Sequence, residues 1–194
     1  MTSIRPFEAM DVFKFNTTNL DPLTETYDLN FYFTYLARWP HLFNVAVGAE
    51  GQIQAYVMGK LESSPSYLSY TQPNSPHILP WHAHITALTV APSARRLGLA
   101  RTLSDNLATA AEEYDAWFVD LFVRKSNAIA QELYRGMGYK VFRRVLDYYS
   151  DDLSDPTKDG EDAFDMRLRL RRDKTGKHER ENGEDFPVTP EDVW

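Results

Sequence analysis

Between His84 and Tyr149 the chain alternates two different hydrophobic periods, and this alternation restricts the fold more than any other feature of the sequence. His84 to Val90 is rich in β-formers, with Ile85, Thr86, Leu88 and Val90. Leu99 to Tyr114 then places Leu99, Leu103, Leu107, Ala110 and Ala111 on one helical stripe. Trp117 to Val123 is nearly all apolar, interrupted by Asp120, as a strand covered on both faces requires. Ser126 can cap a helix from Asn127 to Met137, Gly138 sits where a left-handed C-terminal residue belongs, and Tyr139 to Tyr149 reads as a long strand. Strand, helix, strand, helix, strand in that order predicts an α/β (α+β) domain, a mixed sheet with helices on it.

The flanks extend the same domain. Phe7, Met10, Val12 and Phe13 behind Pro6 suit a short helix, and Asp28 can cap a second one with Leu29, Phe33 and Leu36 on one face, ended by Pro40. Phe43 to Val47 and Gln54 to Leu61, separated by Gly48 to Gly51, predict a hairpin. Ala163 to Leu170 puts Phe164, Met166, Leu168 and Leu170 on one face and predicts a last strand. The expected domain runs over 1–170, with a long Pro/Ser-rich surface loop at 63–80 and an acidic loop at 150–162. Residues 171–194 show no apolar period before Phe186 and Val188, and are expected to be disordered or ordered by a partner.

Composition removes whole classes of function. The chain has no cysteine, which excludes a disulfide scaffold, thiolate zinc, an iron–sulfur centre and a cysteine nucleophile. The formal charge of −7 lies mostly late: residues 1–150 carry a net −1 and residues 151–194 a net −6. This balance offers no broad nucleic-acid footprint and no polybasic membrane surface. No leader-like run follows Met1 and no stretch nears the ~20 apolar residues of a membrane span. A cytoplasmic protein with no membrane and no direct nucleic-acid partner is expected.

The chemistry-bearing motif is the junction Ala91-Pro92-Ser93-Ala94-Arg95-Arg96-Leu97-Gly98-Leu99-Ala100, which leads from strand to helix. Two arginines, a glycine and a helix N-terminus make an anion site suited to a pyrophosphate. It is not a P-loop, having no Gly-Lys-Ser/Thr, and it lacks two of the three glycines of a dinucleotide fingerprint. Its ordinary alternative is a solvated loop before a helix.

This turn, its preceding Thr-Ala-Leu-Thr-Val strand, the covered strand after it, and Asn127 with Tyr134 on the next helix resemble the acetyl-CoA site of the GNAT superfamily of N-acetyltransferases. Four further segments narrow the resemblance: Asn19 to Tyr27, Trp81 to Val90, Phe118 to Arg124, and Tyr148 to Ser150. Together they look like the catalytic subunits of NatB-type N-terminal acetyltransferases, from about Ile4 to about Arg169. The resemblance implies a GNAT fold with a splayed central strand pair in a mostly antiparallel sheet. It implies co-translational transfer of acetyl from acetyl-CoA to the α-amine of chains starting Met-Asp, Met-Glu, Met-Asn or Met-Gln. It also implies a larger helical-repeat auxiliary subunit that brings the enzyme to nascent chains and, indirectly, to the ribosome.

Residue by residue, the resemblance assigns Leu88, Thr89 and Val90 to the pantetheine through their backbones, and Arg95, Arg96, Gly98, Leu99 and Ala100 to the pyrophosphate. Asn127 and Tyr134, two helical turns apart, then line one cofactor, with the Tyr134 phenol as acid for the departing thiolate. Taken without the resemblance, Tyr134 reads as an aromatic core residue. Glu25, Tyr27, His84, Thr86, Ala87, Tyr148 and Tyr149 are assigned to the peptide. As strand neighbours, Tyr148 and Tyr149 face opposite sides unless a bulge intervenes. Glu25 or His84, through water, are candidate proton acceptors, as is no protein base at all. His82 and His84 could suggest a metal pair, but no third ligand is indicated and the chemistry needs no metal. The competing functions are a GNAT acetyltransferase of other specificity and a non-catalytic GNAT-fold subunit.

Overall fold

A computed structural model describes residues 1–19, 24–63, 81–149 and 160–193. All but Ser63 of the segment expected as a loop over 63–80, most of the acidic stretch over 150–162 and the Asp21-Pro22 turn lie outside the described residues. Two compact units are formed, one from 1–61 with 83–114 and the other from 62–82 with 115–194.

In the first unit the strands are β1 (Ser3–Pro6), β2 (Phe43–Val47), β3 (Ile53–Ser63) and β4 (Trp81–Val90), in the order β1-β2-β3-β4. The pairs β1/β2 and β2/β3 are antiparallel. The helices are α1 (Leu29–Arg38) and α2 (Leu99–Glu113). The region expected as one short helix near the N-terminus is two 3-10 turns, Ala9–Phe13 and Asn16–Thr18, preceded by β1, which the pattern did not announce. Phe7 stacks on Phe43 with ring centroids 3.9 Å apart, and Phe15 meets Tyr32 edge-on at 5.0 Å. This aromatic core determines how α1 packs.

α1 turns inward a face that overlaps the expected one only at Leu36, which packs on the aromatic core. Tyr32 and Tyr35 are buried, whereas Leu29 is 53% and Phe33 38% exposed. Asp28 caps the helix as expected, its Oδ1 accepting from the Phe31 N–H at 2.8 Å. α2 buries Leu99, Leu103, Leu107 and Ala111, with Ala108 rather than Ala110 completing the stripe. Gly59 on β3 makes room for it: a Cβ there would lie 2.7 Å from Leu107 Cδ1 and 2.9 Å from the His84 carbonyl oxygen. The missing side chain lets α2 seat closely against the strands.

The second unit holds β5 (Phe118–Arg124), α3 (Ala128–Gly136), β6 (Lys140–Tyr149), β7 (Glu161–Arg169) and β8 (Pro187–Val188), with strand order β5-β7-β6-β8. β5/β7 and β6/β7 are antiparallel and β6/β8 is parallel. Gly138 takes φ 97, the left-handed residue expected after α3. The cap at the other end moves one residue: Asn127, not Ser126, caps α3, its Oδ1 accepting from the Ala130 N–H at 3.1 Å.

The tail, expected to be disordered or ordered by a partner, carries contacts to the rest of the second unit over its described residues. Asp173 accepts N–H bonds from Lys177 (2.9 Å) and His178 (2.8 Å), closing a turn that buries the His178 ring against Phe118. Arg180 lies over Phe142 at 4.5 Å and Phe186 at 3.7 Å, and Val188 pairs with Val145 of β6. Arg180, a charge that reads as solvation, lies over two aromatic rings, a cation–π contact that hydropathy does not register. Among the described residues no helix is long and apolar enough to cross a membrane.

Candidate active site

Within the first unit, β4 carries both candidate binding regions. Beyond Val90 a 3-10 turn, Pro92–Ala94, delivers Arg95 and Arg96 to the surface, and α2 opens at Gly98. Arg96 has φ 67 and Gly98 φ 78. Among the described residues, apart from its chain neighbours and its own helix backbone, nothing lies within 4 Å of a Cβ placed on Gly98, so glycine is required there for conformation rather than for room. The cap residue has no side chain to bond the first amides of α2, and the first turn has no acidic residue. Those N–H groups and the positive end of the helix dipole stand beside two exposed guanidinium groups.

The loop before α1 is bonded to the same strand. Thr24 Oγ1 and Thr89 Oγ1 are 3.0 Å apart, and the Tyr27 hydroxyl donates to the Thr86 carbonyl at 3.4 Å. The Tyr27 ring stacks on Phe31 at 4.3 Å. Thr86 Oγ1 is 2.9 Å from the Tyr35 hydroxyl. His84 is buried, Glu25 is exposed, and Ala87 packs on the aromatic core. The Thr89 hydroxyl donates to the Thr18 carbonyl at 2.9 Å, so its side chain is committed within the protein. Leu88 and Val90 are half-buried.

Within the second unit, Tyr148 and Tyr149 do not point to opposite sides as a regular strand would require. The β6/β7 register shifts between Val145 and Tyr149, and Asp147 takes φ 48. Tyr148 thereby stacks on Phe122 at 4.5 Å, while the Tyr149 hydroxyl donates to the Phe122 carbonyl at 3.1 Å under Arg124, which is 4.0 Å from its ring. Both tyrosines converge on β5. On α3, Tyr134 is buried with its ring edge-on to Tyr139 at 5.4 Å. Burial, with the nearby Tyr139, raises its pKa above the ordinary tyrosine value, so the phenol keeps its proton. Asn127 Oδ1 is engaged in the helix cap described above.

Two features lay outside the sequence expectations. Tyr35, hydrogen-bonded to Thr86, was hidden in a helix whose other face looked apolar. His82 Nε2 lies 3.3 Å from Glu62 Oε1 and 3.7 Å from Asp120 Oδ2, with its ring stacked on Phe118. The sequence signal for that cluster was the lone Asp120 inside an apolar strand. Among the described residues, no group of three or more His, Cys, Asp and Glu side chains could hold a metal ion.

A strand running into an exposed arginine-glycine turn and a helix start without a side-chain cap makes a site suited to an anion such as a phosphate. Residues 10–139 match the model of the acetyltransferase (GNAT) family, and the chain belongs to that family. It is 47% identical to the N-terminal acetyltransferase B complex catalytic subunit of Schizosaccharomyces pombe, over 100% of this chain and 99% of that one. It superposes on Chaetomium thermophilum Naa20 in complex with a bisubstrate analogue at TM-score 0.89, with 53% identity and 99% of each chain covered. It also superposes on a chain of the NatB acetyltransferase complex bound to CoA at TM-score 0.71, with 41% identity over 87% of this chain and 99% of that one.

Proposed function

We propose that this chain is the catalytic subunit of a B-type N-terminal acetyltransferase, moving the acetyl group of acetyl-CoA onto the α-amine of proteins that start Met-Asp, Met-Glu, Met-Asn or Met-Gln. The observation that carries the reading is β4 itself. At one end it runs into the Arg95-Arg96-Gly98 turn, and further back the loop holding Glu25 and Tyr27 is bonded to it through Thr86 and Thr89. One rigid strand thus links a pyrophosphate cradle to a peptide-binding loop.

Arg95, Arg96 and the amides of Gly98, Leu99 and Ala100 hold the pyrophosphate, and the β4 backbone at Leu88 to Val90 aligns the pantetheine. The family resemblance assigns Asn127 and Tyr134 to the cofactor as well. The neutral α-amine attacks the thioester carbonyl carbon, the carbon–sulfur bond breaks, and the Tyr134 phenol protonates the leaving thiolate. The amine proton passes through water to solvent or to His84 or Glu25, and a proton returns to Tyr134. An α-amine with a pKa of ~7.7–8.0 is already partly neutral at pH 7, so positioning supplies most of the acceleration.

The chain acts with the larger helical-repeat auxiliary subunit of its complex, which carries it to nascent chains and, indirectly, to the ribosome in the cytoplasm. Met10 (63% exposed), Phe13 (66%), Leu29 and Phe33, on neighbouring elements of the first unit, give an apolar surface that supports docking of this kind. The deciding experiment compares acetylation of Met-Asp, Met-Leu and Ser-starting peptides by the complex. A clear Met-Asp preference is expected; equal turnover, or a preference for Ser, overturns the reading.

A further inference from the structure

We infer that Tyr35 is a positioning residue: it accepts no part of the substrate itself, but fixes the Thr86 hydroxyl as a donor toward the side-chain oxygen of the peptide's second residue. The inference rests on the proposed function for its substrate, and on the Tyr35–Thr86 contact for its chemistry.

The two hydroxyls are 2.9 Å apart. Each has a single proton, so one donates and the other accepts. A phenol, with a pKa near 10, is the stronger acid and the better donor of the two. With Tyr35 donating, the Thr86 hydroxyl proton is directed away from Tyr35, available for an acceptor on the other side. Bonds in such a chain also polarise one another, so the Thr86 donor is strengthened by the bond it receives.

Both ends of the relay are held rigidly. Tyr35 is 6% exposed, with its ring between Phe31 (centroids 4.8 Å apart) and Trp39 (5.2 Å). Its helix is capped by Asp28. Thr86 is β-branched and therefore restricted in χ1, and its carbonyl receives the Tyr27 hydroxyl. Two tyrosines from one loop-helix segment thus hold a single threonine, one through its backbone and the other through its side chain.

The consequence is a rule for recognition. Asp, Glu, Asn and Gln share one feature, a planar side-chain oxygen that accepts hydrogen bonds. A neutral hydroxyl donor of fixed direction rewards that feature whether or not the partner is charged. A lysine or arginine in its place would strongly favour carboxylates over amides. Leu at position two would leave the polarised hydroxyl proton without an acceptor, and Lys, which has no acceptor, would leave it so as well.

The test uses the full chain in its complex, with kcat and KM measured on Met-Asp, Met-Asn and Met-Leu peptides. Tyr35→Phe is expected to raise KM for Met-Asp and Met-Asn by about tenfold, the loss of roughly one hydrogen bond, with kcat on all three peptides within about twofold of wild type. Thr86→Val is expected to do the same, Thr86→Ser to retain preference, and Tyr35→Phe with Thr86→Val to add little beyond either alone. If wild type prefers Met-Asp but Tyr35→Phe keeps that preference, or weakens all three peptides in proportion, the positioning role is overturned while the function stands. If wild type itself shows no preference for Met-Asp over Met-Leu, the functional reading falls, and the Tyr35 role with it.

Discussion

The hydroxyls of Thr24 and Thr89 lie 3.0 Å apart, and the direction of that bond is determined by a third residue. Thr89 gives its single proton to the Thr18 carbonyl, so Thr24 is the donor and Thr89 the acceptor. The loop ahead of α1 is therefore tied to β4 through a residue that also holds the turn before it.

This relay makes the two threonines unequal. Thr89→Val strips a buried carbonyl of its partner and is expected to cost about 1–3 kcal/mol of stability. Thr24→Val leaves the Thr18 bond intact and should cost about 1 kcal/mol or less, while loosening the loop that carries Glu25 and Tyr27. Urea unfolding of both variants checks the order. Equal losses would show that the Thr18 bond contributes nothing.

The arginine turn separates binding from stability. Arg95 and Arg96 are exposed, so Arg95→Ala with Arg96→Ala is expected to leave the melting temperature within about a degree or two while raising KM for acetyl-CoA by about ten- to a hundredfold. Gly98→Ala is expected to behave differently, because φ 78 strains any residue with a Cβ by about 1 kcal/mol even though the space is open. Calorimetric melts alongside acetyl-CoA titrations distinguish the two behaviours. A double arginine variant with unchanged KM would remove the turn from the cofactor site.

Much of the scaffold could be read from the sequence because its elements repeat a strong period. β4, α2, β5, α3 and β6 fall within a few residues of their expected spans, and the Arg95-Arg96-Gly98 turn falls where strand meets helix. What could not be read depends on contacts remote in sequence. β1 has four residues and ends in a proline at a sheet edge, too short for a period. The inward face of α1 is tyrosine because the core that receives it is aromatic and the Tyr35 hydroxyl finds Thr86, a partner 51 residues away. Convergence of Tyr148 and Tyr149 required the bulge at Asp147, whose positive φ has no local signature. The tail folds because Arg180, His178 and Val188 meet aromatic and strand partners that composition does not reveal.

His178 gives the folded tail a pH signature. Burial lowers its pKa to about 4 against the opposing pull of Asp173, with Arg167 and Lys177 lowering it further. The unfolded chain takes up this proton near pH 6.5, before the folded one does, so between about 6.5 and 4 the unfolded state binds more protons. Stability therefore falls as pH drops through that window, and His178 contributes no further slope below it. Urea unfolding of wild type and His178→Phe from pH 7.5 to 4 is expected to show wild type losing ground to the variant below about 6.5. Parallel curves would show that the ring is not held neutral.

Tyr134 links burial to catalysis. A phenol in solution begins to lose its proton as pH approaches 10, but the burial of Tyr134 on α3, beside Tyr139, shifts that loss upward. Near pH 8, where the α-amine becomes neutral, the proton needed by the departing thiolate remains in place. Tyr134→Phe keeps the ring, its contact with Tyr139 and the packing of α3, and removes only the hydroxyl that carries that proton. The expected result is a fall in kcat of about a hundredfold, within the range of general acid catalysis, with acetyl-CoA binding and melting temperature little changed. The pH profile of wild-type kcat/KM should rise through the pKa of the peptide amine near 8 and then stay level, with no basic limb from Tyr134 up to about pH 10. A variant that loses acetyl-CoA affinity in step with kcat would make Tyr134 a packing residue of α3 and return the thiolate's proton to water.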